Sequence, residues 1–238
     1  MGSGVKITSE PHPFGEYFVM NLDPRTLQIL KSFSAINPSI HFNDGKTLKT
    51  ISPTKTVMAK AILDDGFDRP FAIYDLSRFL GVLSLFDNPE LTITDTAVEI
   101  RGKNGDSINY VVADPSNIVT PPEKEIKLPS VDATFALKQD DFTRVIKALS
   151  VLGLPEIAVV GDGEKVFLQA ADSKNPTGDV YKTPVGETGK TFRAIFKSEN
   201  LKILPGDYEV SISKAGLSHF AGAGIEYWIA MEGVSKFD

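Results

Sequence analysis

The chain has 238 residues, 42% apolar and 24% charged, with a formal net charge of −6; that length suits one large domain or two smaller ones with ordinary cores. It contains no cysteine, which excludes disulfide frameworks, thiolate zinc sites and cysteine nucleophiles. No apolar run approaches the roughly 18 residues that span a bilayer and no secretion signal opens the chain, so a cytosolic protein without a membrane partner is expected.

Residues 1–16, MGSGVKITSEPHPFGE, mix glycine, proline and charge without periodicity and read as an extension or an expression-derived segment. A strand is expected over YFVMNL (17–22), then a helix capped by Asp23 that runs through LQILKSFSAI to a stop at Asn37-Pro38, then strand residues Ile40-His41-Phe42. Asn43-Asp44-Gly45 marks a tight turn. Asp64-Asp65 with Asp68 lacks EF-hand spacing and reads as a polar loop. A second strand, PFAIYDL (70–76), leads into a helix capped by Asp75, with Leu76, Phe79, Leu80, Leu83 and Phe86 three and four apart. Pro89 ends it, and the alternation at Leu91 and Ile93 predicts a half-buried strand. After the turn at Asn104-Gly105, Asp114-Pro115-Ser116 turns the chain into SNIVTPPEKEIKLPS (116–130), whose prolines and alternating charge predict an extended connector.

Beyond the connector the plan repeats. ATFALK (133–138) precedes a helix from Asp141 that carries Phe142, Val145, Ile146, Leu149 and Leu152, ends at Pro155 and continues as strand at Ile157 and Val159. A turn at Gly161-Asp162-Gly163 and a strand at TFRAIF (191–196) lead to a fourth helix, in which Ser198 caps ENLKIL before Pro205 and the strand Tyr208–Ile212; Ala221–Gly224 is the last turn signal. DLSRFLGVLSLFDNPELTI (75–93) aligns without a gap on DFTRVIKALSVLGLPEIAV (141–159), Arg78 on Arg144 among them. Pro38 and Pro155 lie 117 residues apart, and Pro89 and Pro205 lie 116 apart. The chain therefore reads as two halves, 17–115 and 131–238, each of two strand-helix-strands modules in an α+β fold.

Helix phase assigns the polar faces. Arg25 and Lys31 lie opposite the apolar stripe of the first helix, Arg78 lies on the second, Arg144 and Lys147 on the third with Lys138 just upstream, and Lys202 on the fourth with Lys197 near its start. One such helix would be an ordinary solvated face. Four tipped basic in an acidic protein favour a protein that meets a polyanion at one place only.

Catalytic and cofactor motifs are missing. His12, His41 and His219 are scattered without metal-ligand spacing, no phosphate-binding glycine loop follows a strand, and no cofactor or metal site is expected.

FAIYDLSRFLGVLSLFDNPELTI (71–93), ADPSNIV (113–119), LQILKSFSAIN (27–37) and PGDYEVSISKAG (205–216) followed by YWIAMEG (227–233) occur in the order found in a known family. From about Met20 onward the chain resembles the sliding clamp of T-even type bacteriophages and their cyanophage relatives. That resemblance implies the DNA clamp fold and a DNA polymerase processivity factor. It further implies a homotrimeric ring around duplex DNA in the cytoplasm of an infected bacterium, and no catalysis. The implied partners are the replicative DNA polymerase, an ATP-dependent clamp loader and late-transcription factors. Phosphate-facing cations would be Arg25, Lys31, Arg78, Lys138, Arg144, Lys147, Lys197 and Lys202, held without sequence readout so that the ring can move. Partner peptides would dock beside the connector at Ile118, Val119, Pro121 and Pro122, for which a plain linker is an equal alternative. The competing class is a structural or assembly protein of a phage particle.

Overall fold

The computed structural model describes residues 19–238, so the expected extension over 1–16 and the start of the strand expected over 17–22 lie outside the described residues. Two compact units are formed, one by residues 19–53 and 60–121 and the other by Thr54–Ala59 and Pro122–Asp238.

In the first unit, β1 (Val19–Met20) precedes α1 (Pro24–Ser34), which starts where expected. Asp23 accepts the Thr26 N–H at 2.9 Å and the Thr26 hydroxyl at 2.6 Å, and Pro24 supplies the preset first-turn backbone. Ile29, Leu30 and Phe33 form the fully buried stripe. The stop is built around Asn37, itself buried: its amide donates to the Ile51 carbonyl at 2.8 Å and its side-chain oxygen accepts the Ser39 N–H at 2.9 Å. Strands β2 (Ile40–Phe42), β3 (Gly45–Ile51), β4 (Val57–Phe67) and β5 (Phe71–Ile73) follow, and β2 pairs with β5 so that Phe42 stacks on Phe71 at 4.2 Å. Asp64 and Asp65 thus lie within a strand rather than a loop; the backbone carbonyl of Asp64 accepts Lys46 Nζ at 2.6 Å.

Helix α2 (Leu76–Leu83) begins at Asp75, which accepts the Arg78 N–H at 2.9 Å. It packs on α1 and buries Leu76, Phe79 and Leu83. It is closed at Ser84, five residues before Pro89, so Phe86 lies beyond it. Strands β6 (Glu90–Ile93), β7 (Ala97–Arg101) and β8 (Ser107–Val111) complete an antiparallel sheet in the order β1-β6-β7-β8. The turn at Asp114 closes the unit, its carboxylate accepting the Ser116 N–H at 2.9 Å.

The second unit opens with β9 (Ala133–Leu137) and α3 (Gln139–Leu152). This helix starts two residues before Asp141, which sits in its first turn and pairs with Arg144. Its end is also earlier than Pro155: Gly153 takes the left-handed backbone, φ 65°, that releases the last turn. Strands β10 (Glu156–Asp162), β11 (Lys165–Ala171), β12 (Tyr181–Glu187) and β13 (Thr191–Lys197) form an antiparallel sheet in the order β12-β11-β10-β13, with β10 and β11 joined through Gly163 at φ 96°.

The expected fourth helix is the largest departure. Ser198–Leu201 forms only a single 3-10 turn, and Ser198 is its first residue rather than a side-chain cap. Strand pairing holds the chain as far as Lys197, opposite Glu156, and Pro205 follows soon after, so fewer than two α-helical turns could fit between them. Strands β14 (Tyr208–Ser213), β15 (Leu217–Gly222) and β16 (Ile225–Ala230) then run antiparallel beside β9, with the Ala230 N–H donating to Thr56 O at 2.8 Å; β17 (Lys236–Phe237) joins the edge at β13.

Candidate nucleic-acid interface

Each of the three α-helices places at least one cation in solvent, and the 3-10 turn Ser198–Leu201 is flanked by two more. Lys31, Arg78, Lys138, Arg144, Lys147, Lys197 and Lys202 are exposed, and Arg25 is half-buried. Their electrostatic surroundings divide them. Lys138 Nζ donates to Asp207 at 2.8 Å, Arg144 pairs with Asp141, and Lys197 stands 3.8 Å from Glu232. The hydrogen bond from Lys138 holds the Asp207 carboxyl below the usual range, and Asp207 reciprocally raises the Lys138 ammonium. Lys31, Arg78, Lys147 and Lys202 have no ion pair or side-chain hydrogen bond among the described residues. There is one such cation on α1, one on α2, one on α3 and one at the end of the 3-10 turn. An exposed ammonium or guanidinium without a protein partner is the group best able to exchange freely between phosphates.

Helix phase could select outward positions because it depends only on spacing. It could not see two of the three ion pairs, since Asp207 and Glu232 are distant in sequence from Lys138 and Lys197, whereas Asp141 and Arg144 are one helical turn apart and lie within its reach. The shortened fourth element also leaves a groove of about 510 Å³ beside α3, lined mainly by Phe142, Ile146, Leu149, Leu201, Ile203 and Pro205. Its one sequence signal is the closeness of Pro205 to Ser198.

The connector residues behave differently from one another. Ile118 is buried, Val119 is exposed and its carbonyl lies 3.5 Å from the Asn37 amide nitrogen, Pro121 is half-buried and Pro122 exposed.

Two helices packed together in one unit, a third helix and a short turn in the other, and sheets around both define the DNA clamp class. Solved clamps superpose accordingly: PCNA of Thermococcus kodakaraensis with a TM-score of 0.66 over 90% of this chain and 99% of its own, at 14% identity. The A. fulgidus PCNA with the C-terminal region of FEN-1 bound gives 0.67 over 92% and 99%, at 16% identity. Residues 23–120 match the family model of the DNA polymerase processivity factor, and 134–233 that of the gp45 sliding clamp, C terminal. The sliding clamp of Vibrio phage KVP40 is 35% identical over 219 residues, 90% of this chain and 99% of that protein. That of Enterobacteria phage T4 is 30% identical over 229 residues, 92% and 100%. The chain belongs to the bacteriophage sliding-clamp family, processivity factors of DNA polymerase. A structural role in the phage particle finds no support among these relatives.

Proposed function

We propose that three copies of the chain close into a ring around duplex DNA, with Lys31, Arg78, Lys147 and Lys202 as the cations that meet phosphate and Arg25, Lys138, Arg144 and Lys197 as a second set held in reserve by protein contacts. The observation that carries this is the placement of one cation without an ion pair among the described residues on each of the three α-helices, and of a fourth, Lys202, directly after the 3-10 turn Ser198–Leu201, in a chain whose net charge is −6. Contacts to phosphate carry no base information and exchange quickly, so they keep a ring centred without arresting it. Retention on DNA then comes from closure of the ring rather than from affinity, and the role is not catalytic.

Ring closure needs complementary edges. Strand β8 ends its sheet with Val111, 75% exposed, and lies beside the start of α2, since Tyr110 Oη donates to the Asp75 carbonyl at 3.1 Å. Strand β12 ends the sheet of the other unit, preceded by the exposed Val180 and packed by α3, whose last residues Val151 and Leu152 are also exposed. Unpaired strand edges with apolar flanks favour a partner strand, and a head-to-tail contact of β8 with β12 of the next copy is one that can close a ring. An ATP-dependent clamp loader would open this contact. Polymerase and late-transcription factors would dock at the connector around Val119, Pro121 and Pro122, with Ile118 holding it from beneath, in the cytoplasm of the infected bacterium.

The test loads the protein with clamp loader and ATP onto nicked circular DNA, which is then linearised. Rings run off the ends; retention on the linear duplex defeats the topological reading. Replacing Lys31, Arg78 and Lys147 together by glutamate should impair loading while leaving the fold intact, and unchanged processivity would remove these residues from the DNA face.

A further inference from the structure

The fourth cation is held differently from the other three. Lys31, Arg78 and Lys147 stand on α-helices of 11, 8 and 14 residues, whose repeating backbone hydrogen bonds fix the direction of each side chain. Lys202 follows a 3-10 turn of 4 residues and has left the helical region, with φ −78° and ψ 57°. Its neighbours Leu201 and Ile203 are buried, and Lys202 alone of the three points to solvent. A turn this short has no ladder with which to fix that arrangement.

What fixes it comes from the sheet. The Leu204 N–H donates to Tyr227 Oη at 3.0 Å, and the Tyr208 hydroxyl donates to the Leu204 carbonyl. Both backbone groups of one residue are thus taken up by two phenols, Tyr227 fully buried and Tyr208 nearly so, their rings edge-on at 6.0 Å. The Tyr208 ring is itself confined: a Cβ added at Gly222 would stand 2.7 Å from its Cε1 carbon, so the strand passes the ring with no room for a side chain. Phenylalanine would supply the same apolar volume at either position. The hydroxyls are explained by Leu204, whose N–H and carbonyl have no helical partner to satisfy them.

We propose that Tyr208 and Tyr227 are positioning residues for Lys202, doing through Leu204 what a helix does for the other three cations; this rests on the reading of Lys202 as a phosphate-facing residue. The two hydroxyls clamp the segment two residues beyond Lys202, and the buried Leu201 anchors it on the other side. Lysine carries four rotatable side-chain bonds, so its contribution to phosphate contact depends on a fixed backbone origin.

The test is a cycle in the full-length chain: Lys202→Ala, Tyr208→Phe with Tyr227→Phe, and all three together. Each protein is titrated with a short blunt duplex at several salt concentrations, and hydrogen exchange is followed at the Leu204 amide. Lys202→Ala should lower the slope of log affinity against log salt by about 0.9, the loss of one phosphate contact. The tyrosine pair variant should lose a comparable part of that slope, with faster exchange at Leu204, and adding Lys202→Ala should then change little more. A tyrosine variant that keeps the full slope, and in which Lys202→Ala still costs its whole increment, overturns the proposal and leaves the hydroxyls a purely structural role. An unchanged slope in Lys202→Ala alone, where both tyrosines are intact, identifies instead a failure of the DNA-face reading and takes the proposal with it. Should the paired replacement unfold the protein, Tyr227→Phe and Tyr208→Phe are each carried through the same cycle, and the same outcomes decide.

Discussion

Asp207 holds Lys138 and caps α3 with the same carboxylate: Oδ2 accepts from Lys138 Nζ at 2.8 Å while Oδ1 accepts the Gln139 N–H at 2.9 Å. The helix has no side-chain cap of its own, so its first turn is completed by a residue 68 positions away. These two roles are separable. Asparagine at 207 keeps an oxygen for the Gln139 N–H and removes the charge that restrains Lys138. Asp207→Asn is therefore expected to add about one phosphate contact, raising the salt slope of duplex binding by about 0.9 with little change in melting temperature. Asp207→Ala should show the same gain and a lower melting temperature, because the cap is lost as well. Equal melting temperatures for the two variants would show that the capping bond is immaterial.

The contrast with α1 and α2 explains what could be read from sequence. Asp23 and Asp75 cap through N–H groups three residues ahead, at Thr26 and Arg78. That chemistry is local, so both starts were legible, as was the turn at Asp114. The α3 start lies two residues before Asp141, where local signals point, because its cap, Asp207, arrives through tertiary structure. The fourth helix fails to form for a related reason: Ser198 and the apolar spacing of Leu201 and Leu204 satisfy the local rules, whereas strand pairing up to Lys197 and the hydroxyls at Leu204 decide the outcome. The outward placement of the cations follows from periodicity. The pairing of Arg144 with Asp141, three residues apart, follows from it too, but the pairing of Lys138 with Asp207 and of Lys197 with Glu232 does not.

Asn37 gives a stability prediction for the first unit. Its side chain satisfies the Ile51 carbonyl and the Ser39 N–H in a buried setting, at the point where α1 stops. Asn37→Ala leaves both backbone groups without that partner and should cost about 1–3 kcal/mol. Chemical denaturation monitored by circular dichroism would measure it, and a loss below a few tenths would mean that water replaces the side chain at no cost.

Titration should limit stability at both ends of the pH range. Burial, followed by the neighbouring Tyr227, pushes the Tyr208 phenol far above its ordinary value of 10.0. The folded state therefore favours the neutral phenol, and its contribution is fully present below about pH 10 and declines as pH rises beyond it. Backbone hydrogen bonds from Lys165 and Glu164 hold Asp162 below its ordinary 3.8, so its contribution is present above about pH 4 and lost as pH falls. Urea midpoints across pH should show a plateau between these limits. Tyr208→Phe should flatten the alkaline decline and Asp162→Asn the acid one. An alkaline limb as steep in Tyr208→Phe as in the parent would assign it elsewhere, with Tyr110, also raised by burial, as the next residue to replace.

Val111 provides the test of ring closure that leaves the DNA face untouched. Along β8, Ile108 and Tyr110 are half-buried, with Tyr110 edge-on to Phe79 at 5.1 Å, while Ser107, Asn109 and Val111 are exposed. A valine 75% exposed on a free strand edge contributes nothing to its own unit that solvent would not provide. Against a second copy it would bury its methyl groups, worth about 1–2 kcal/mol at each contact. Val111→Asp replaces that gain by a buried charge, and a ring multiplies the penalty over every contact. At micromolar concentration the parent is expected at three times the 25.9 kDa chain mass, and the variant largely at 25.9 kDa with unchanged circular dichroism. A variant that remains trimeric would move the contact away from the β8 edge, whereas a parent that is itself monomeric would remove ring closure from the protein on its own and leave it to the loader and DNA.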